Sequence, residues 1–226
     1  MGRRLRQEFD IPWIAEFRDL WTEDPRFKKE DGPFLEDSRW LELETLETAD
    51  RVVGVSPPLT ERLFRRLGKR REKFSTIELS YDEDDFNLLK KARSEKFQIL
   101  QAGTLYPGMM PAGLVKAIEI LRGTGQVDSA RFEVIVAGTN LSGTSDYLRA
   151  CGFRVTGRLA HRETLALYRE ASVLLLTLPE TLKEFIPSRV FEYMASSTPI
   201  LGVLPADSVA AELIRRSRTG QVADIR

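Results

Sequence analysis

Short apolar runs alternate with amphipathic stretches along nearly the whole chain, and this alternation constrains the fold more than any other feature. Residues 12–17 read as a strand and 34–48 as a helix. Residues 51–55 read as a strand, followed by a helix that Pro57 and Pro58 open, where a missing N–H costs nothing. The order then repeats. Strands are expected at 97–102, 132–137, 154–156, 173–177 and 200–204. Helices are expected between and after them at 111–121, 144–150, 163–170, 188–196 and 208–215. Strand and helix in strict alternation mean βαβ units, hence an α/β protein with parallel sheets and right-handed crossovers.

Composition narrows the class. The chain has 226 residues, 42% of them hydrophobic, which is enough apolar surface to offset the entropy of ordering and excludes intrinsic disorder. Its 34 basic and 34 acidic side chains cancel, which excludes the strongly basic field of a general nucleic-acid binder. Cys151 is the sole cysteine, so neither an intrachain disulfide nor a Cys-based zinc site can form, and the count suits a reducing compartment. His161 is the sole histidine. No run approaches the ~20 apolar residues of a membrane span, and residues 1–6 carry no apolar signal stretch. The expectation is a soluble cytoplasmic protein, with a peripheral position at the inner membrane surface as its variant.

A seam of opposite charge lies near residues 80–96. Arg62, Arg65, Arg66, Lys69, Arg70, Arg71 and Lys73 end a helix, and Glu78, Asp82, Glu83, Asp84 and Asp85 follow. The basic run reads either as a patch for anionic lipid or nucleic acid, or as a solvated face with cations near the negative end of the helix dipole. The second reading is favoured, because the acidic neighbours partly cancel the field.

In a doubly wound sheet, ligands bind beyond the C-terminal strand ends. The strand at 97–102 runs into a turn at Gly103, Thr104 and Gly108, and the strand at 132–137 into one at Gly138, Asn140 and Gly143. Neither is a P-loop nor a Gly-x-Gly-x-x-Gly turn, which weighs against ATPase and NAD-enzyme chemistry. Phosphate site and plain turn both stay open. After the strand at 173–177, Glu184 falls in a loop and Glu192 in a helix that Pro187 or Ser188 can start. A carboxylate accepts two hydrogen bonds, which suits vicinal hydroxyls of a ribose or hexose, and Arg189 with the helix start offers positive potential for a diphosphate. The competing reading is a loop acid in water and a helix acid paired with an arginine.

Glu184, seven intervening residues, Glu192 and then Tyr193 resemble the Glu-x7-Glu donor motif of retaining, nucleotide-sugar-dependent glycosyltransferases of the GT-B fold, family-4-like. Residues 11–25, 48–56, 102–106, 155–161 and 171–176 are similar to further segments of that family in family order. The resemblance implies Rossmann-like parallel sheets of the GT-B type with an incomplete N-terminal domain. It divides the chain into a partial acceptor-side domain at 1–80, a linker at 81–96 and a donor-binding domain at 97–226. It implies transfer of a hexose from a nucleoside-diphosphate sugar to a glycan or lipid-linked acceptor, with retention and without metal or cofactor. Glu192 would bind the ribose hydroxyls and Glu184 would lie beside the donor hexose. Gly103, Thr104 and Arg189, with Ser188 and Gly138 nearby, would face the diphosphate. Gly157, Arg158 and Leu159 would frame the base, and Arg18 and Asp19 stand where many relatives have a His-Asp pair near the transferred sugar. The resemblance gives His161 no chemistry, and it is read as a polar residue ahead of a helix.

Departures from the pattern favour an alternative. The Arg and Lys that relatives often place after the Gly103 turn are absent, leaving Arg189 and Lys183. Pro187 stands where many relatives have Gly, and Leu79 and Ser80 replace an Asn-Gly pair. Ser197 replaces a Gly where a left-handed backbone is expected. With the acceptor-side loop missing, the alternative is a catalytically silent nucleotide-sugar-binding module or one half of a split transferase. Residues 1–80 are then expected to be poorly ordered alone or covered by a partner chain that completes the N-terminal domain.

Overall fold

The computed structural model describes residues 2–24, 33–87, 94–106, 108–110, 112–128, 130–139 and 143–225. The expected positions Pro107, Pro111, Asn140, Leu141 and Ser142 lie outside them. Two compact units are present, one of Met1–Leu79 with Glu184–Ile186 and one of Ser80–Lys183 with Pro187–Arg226. The described part of 81–96 groups with the second.

The first unit holds α1 (Gly2–Phe9), β1 (Ile14–Phe17), α2 (Pro33–Thr48), β2 (Arg51–Gly54), α3 (Pro57–Leu67) and β3 (Phe74–Thr76). Its sheet has the order β1-β2-β3, parallel throughout. Strand β1 begins two residues later than the sequence suggests, because Trp13 ends the approach instead: its carbonyl accepts from Asp50 N–H and its N–H donates to Asp50 Oδ2. Helix α3 starts as its residues dictate. Ser56 Oγ accepts from Leu59 N–H, Pro57 supplies the first turn, and Gly68 closes the end at φ +73°. Ala15, Phe17, Leu46, Val52, Leu59 and Leu63 form a core between the sheet and α2 and α3. Outside it Phe9, Ile11, Ile14, Trp21, Phe34 and Trp40 are exposed, from 45% for Trp21 to 83% for Phe34.

The basic run is largely a solvated, ion-paired face, and several of its partners lie on neighbouring helices. Arg66 pairs with Glu42 and Lys69 with Glu47, both on α2; Arg65 and Arg71 pair with Glu61. Helices α2 and α3 pack side by side, so acids 20 to 25 positions upstream reach the cations first. Lys73 is buried, donates to the carbonyls of Glu47 and Ala49, and burial pushes its pKa down.

The second unit continues with α4 (Asp84–Asn87), β4 (Phe97–Ala102), α5 (Ala112–Gly123), β5 (Phe132–Ala137), α6 (Ser145–Ala150) and β6 (Arg154–Gly157). It ends with α7 (His161–Glu170), β7 (Val173–Thr177), α8 (Arg189–Ala195), β8 (Ile200–Val203), α9 (Val209–Ser217) and β9 (Gly220–Ala223). Six parallel strands form one sheet in the order β6-β5-β4-β7-β8-β9. Strands β4 and β7 are flanked on both sides and largely buried on both faces; the continuous apolar run of β7 fits that place, whereas β4 buries Gln98 and Gln101 with its apolar residues. The α/β class with parallel sheets is therefore the architecture, while α1, β3, α4 and β9 are elements that the alternation does not predict. Chain order reverses between β4 and β7, and that switch point is where a doubly wound sheet offers a crevice.

Candidate functional site

Three turns meet at the C-terminal ends of β4, β5 and β6. Gly103 N–H donates to Ala137 O (2.9 Å), Leu105 N–H to Thr139 O (2.8 Å) and Gly138 N–H to Gly157 O (2.8 Å). Gly103 and Gly138 hold φ of +96° and +123°, where a side chain would be strained. At Gly138 a Cβ would stand 2.4 Å from Gly103 O, so the approach of the two turns requires glycine there.

The amides of Gly103 and Gly138 are not themselves free to cradle an anion. Because Gly103 and Gly138 already donate to neighbouring carbonyls, the two glycines contribute close approach and not N–H groups. The cation at the turn is Arg189, the first residue of α8. A Cβ on Gly103 would lie 2.6 Å from Arg189 Nη1, so the missing side chain makes the hollow in which the guanidinium sits. Arg189 Nε is buried and has no hydrogen-bond partner among the described residues. A buried donor without an acceptor is uncommon in folded proteins, and this one lies at the β4/β7 switch point.

One turn along α8, Glu192 is half-buried and its Oε2 accepts from the Tyr168 hydroxyl at 3.2 Å. Its partner is thus a phenol on α7 and not an arginine. Tyr193 is fully buried; its hydroxyl accepts from Ala102 N–H at 3.0 Å, and its ring meets Tyr168 edge to face with centroids 4.9 Å apart. Burial pushes the pKa of both phenols up, so both stay protonated.

The remaining expected residues divide clearly. Ser188 is exposed, and its side chain makes no cap bond to α8. Pro187 O and Ser188 O accept from Val190 and Phe191 N–H instead. Thr104 is half-buried after Gly103, and Arg158 is exposed after Gly157, which holds φ +74°. Arg18 and Asp19 are exposed in the first unit, where Arg18 Nε donates to Glu16 Oε1 at 2.6 Å. Glu184 groups with the first unit and is not a loop acid in water: Arg62 Nε donates to its Oε2 at 2.5 Å, while Arg62 Nη1 reaches Glu23 at 3.1 Å. The Glu184 bond, foremost, raises the Arg62 pKa. His161 opens α7 and pairs with Asp85 on α4 at 2.8 Å. Tyr168 and Tyr193 are the members that spacing alone missed, although Tyr193 directly follows Glu192.

Among the described residues no group of three or more His, Cys, Asp or Glu side chains is placed to hold a metal ion. No described helix is long and apolar enough to cross a membrane.

No protein-family model matches the chain, and no curated protein matches it. Solved structures do. HepE of Anabaena, in complex with UDP and glucose, aligns at 13% identity and a TM-score of 0.58, over 99% of this chain and 60% of that one. WaaG, a glycosyltransferase involved in lipopolysaccharide biosynthesis, aligns at 14% identity and 0.58, over 98% and 66%. A trehalose 6-phosphate synthase from Burkholderia multivorans aligns at 13% identity and 0.62, over 99% and 57%. The chain thus spans between 57% and 66% of the length of these three. At such identities the likeness is one of architecture, and the conclusion it carries is that this chain has the GT-B fold, spanning part of the length of the structures that share it.

Proposed function

We propose that the chain binds a nucleoside-diphosphate sugar and transfers its hexose, with retention, to a glycan or lipid-linked acceptor. The observation that carries the reading is Arg189, its guanidinium in the Gly103 hollow at the switch point and its Nε buried without a partner. A diphosphate is the chemistry that such a group accepts, and a guanidinium held there stabilises the charge that develops on a leaving diphosphate. Glu192, one helical turn away, takes the ribose hydroxyls. Thr104 and Ser188 flank the diphosphate, Gly138 keeps the floor of the turn thin, and Arg158 with Gly157 and Leu159 borders the base. Glu184, Arg18 and Asp19 receive their roles, beside the hexose and near the transferred sugar, from the motif resemblance alone. Neither metal nor cofactor enters the scheme. HepE, whose structure holds UDP and glucose, supports the donor class.

Calorimetric titration with UDP, GDP and their sugars tests the reading. Glu192→Ala is expected to weaken binding at least about tenfold, the usual effect of deleting a charged hydrogen-bond acceptor. Unchanged affinity would remove Glu192 from the site. Release or transfer of sugar decides between transferase and the second reading, a catalytically silent module or one half of a split transferase. That second reading is favoured by one specific feature: residues 104–110 carry no Arg or Lys, so Arg189 has no cationic companion from that turn. A partner chain that completes the first unit belongs to the same proposal, its seat being the exposed apolar side chains around β1 and α2.

A further inference from the structure

We infer that Tyr168 is a positioning residue that sets the plane of the Glu192 carboxylate and thereby makes the site select a nucleotide with intact ribose hydroxyls. The inference rests on the donor-site reading above. Tyr168 is only 3% exposed, a heavy commitment for a side chain that carries a hydroxyl. Three contacts fix it. Its ring packs edge to face on Tyr193, its own carbonyl accepts from Thr198 Oγ1 at 2.7 Å, and its hydroxyl reaches Glu192 Oε2 at 3.2 Å. Tyr193 in turn is tied to Ala102, the residue before Gly103. One rigid pair of rings therefore references both Glu192 and the Gly103 turn to the same point of the core.

The chemistry follows from how a carboxylate recognises a diol. A glutamate turns freely about its last bond, and vicinal hydroxyls are bound well only when the carboxylate presents a fixed face. A hydrogen bond to one oxygen stops that rotation. The phenol can only donate here, since burial keeps it protonated and an ionised carboxylate has no proton to give. Without the bond, the carboxylate oxygens remain but lose their orientation, so selectivity should fall more than general affinity.

The test uses the full chain and the conservative variant Tyr168→Phe, which keeps the ring and its contact with Tyr193. UDP, GDP and ADP are titrated first, and the tightest binder is compared with its 2′,3′-dideoxy form. The unaltered protein should prefer the ribose form by about tenfold or more, and Tyr168→Phe should cut that preference by roughly three- to tenfold, the range of one hydrogen bond. Affinity for the dideoxy form should hardly move, and melting curves confirm that the variant folds. Retained preference, or equal weakening of both ligands, overturns the positioning role. If Glu192→Gln removes the preference while Tyr168→Phe does not, only this inference falls. If Glu192→Gln leaves it intact, or no nucleotide binds, the donor-site reading falls with it.

Discussion

Ser197 turns left-handed at φ +60° two residues beyond α8, the conformation that a Gly-to-Ser replacement at a helix end makes costly. The residue is exposed, so no packing compensates. Ser197→Gly should therefore raise stability by about 0.5–1 kcal/mol, read as an upward shift in the urea midpoint with an unchanged slope. A lower midpoint would mean that the serine has a stabilising role of its own. This strain was legible in the sequence, since it depends only on local order. So was the pair of Glu192 and Arg189, whose spacing on one helix fixes their separation. The partners were not. Arg62 reaches Glu184 across 122 positions, and the hollow at Gly103 is filled by a side chain 86 positions away; no local pattern encodes either.

Among the elements, β4, β5 and β7 have the bounds that their apolar runs suggest, because strands buried on both faces leave little latitude at their ends. Helix α1 and strand β9 escaped notice for the opposite reason. Helix α1 buries no residue, and β9 alternates between half-buried and exposed at an edge, so neither shows a sustained apolar signal. Helices α4 and α7 meet through His161 and Asp85, with Phe86 buried and Arg169 lying 5.9 Å from its ring. The Asp85 hydrogen bond is the main cause that raises the His161 pKa above its ordinary 6.5. A raised histidine pKa stabilises the folded chain fully below 6.5, and the contribution is lost as pH climbs through the folded value. Proton NMR should show His161 titrating above 6.5 and Asp85→Asn returning it towards that value. An unchanged midpoint in the variant would show that Asp85 does not hold the ring.

On the scale of the molecule, two units each bring their own sheet, one of three strands and one of six. The six-stranded sheet buries most of its middle strands β4 and β7, whereas β1 pairs only with β2 among the described residues. Amides of Ile14–Phe17 should therefore exchange with solvent faster than those of Leu174–Leu176, as measured by hydrogen exchange and mass spectrometry. Equal protection in a monomer would show that the first unit needs no cover and would remove the proposed partner chain. The α/β class and most of the element order were legible from alternation alone; the order of strands within each sheet was not, because pairing joins segments far apart in the chain. The β1 edge also bears on how the protein keeps in solution. A chain with no net charge has no long-range repulsion to hold copies apart, so an open strand flanked by aromatic side chains invites stray pairing. Glu16 and Arg18, paired and exposed at the end of β1, place charge on that edge, the kind of side chain that discourages pairing with another copy.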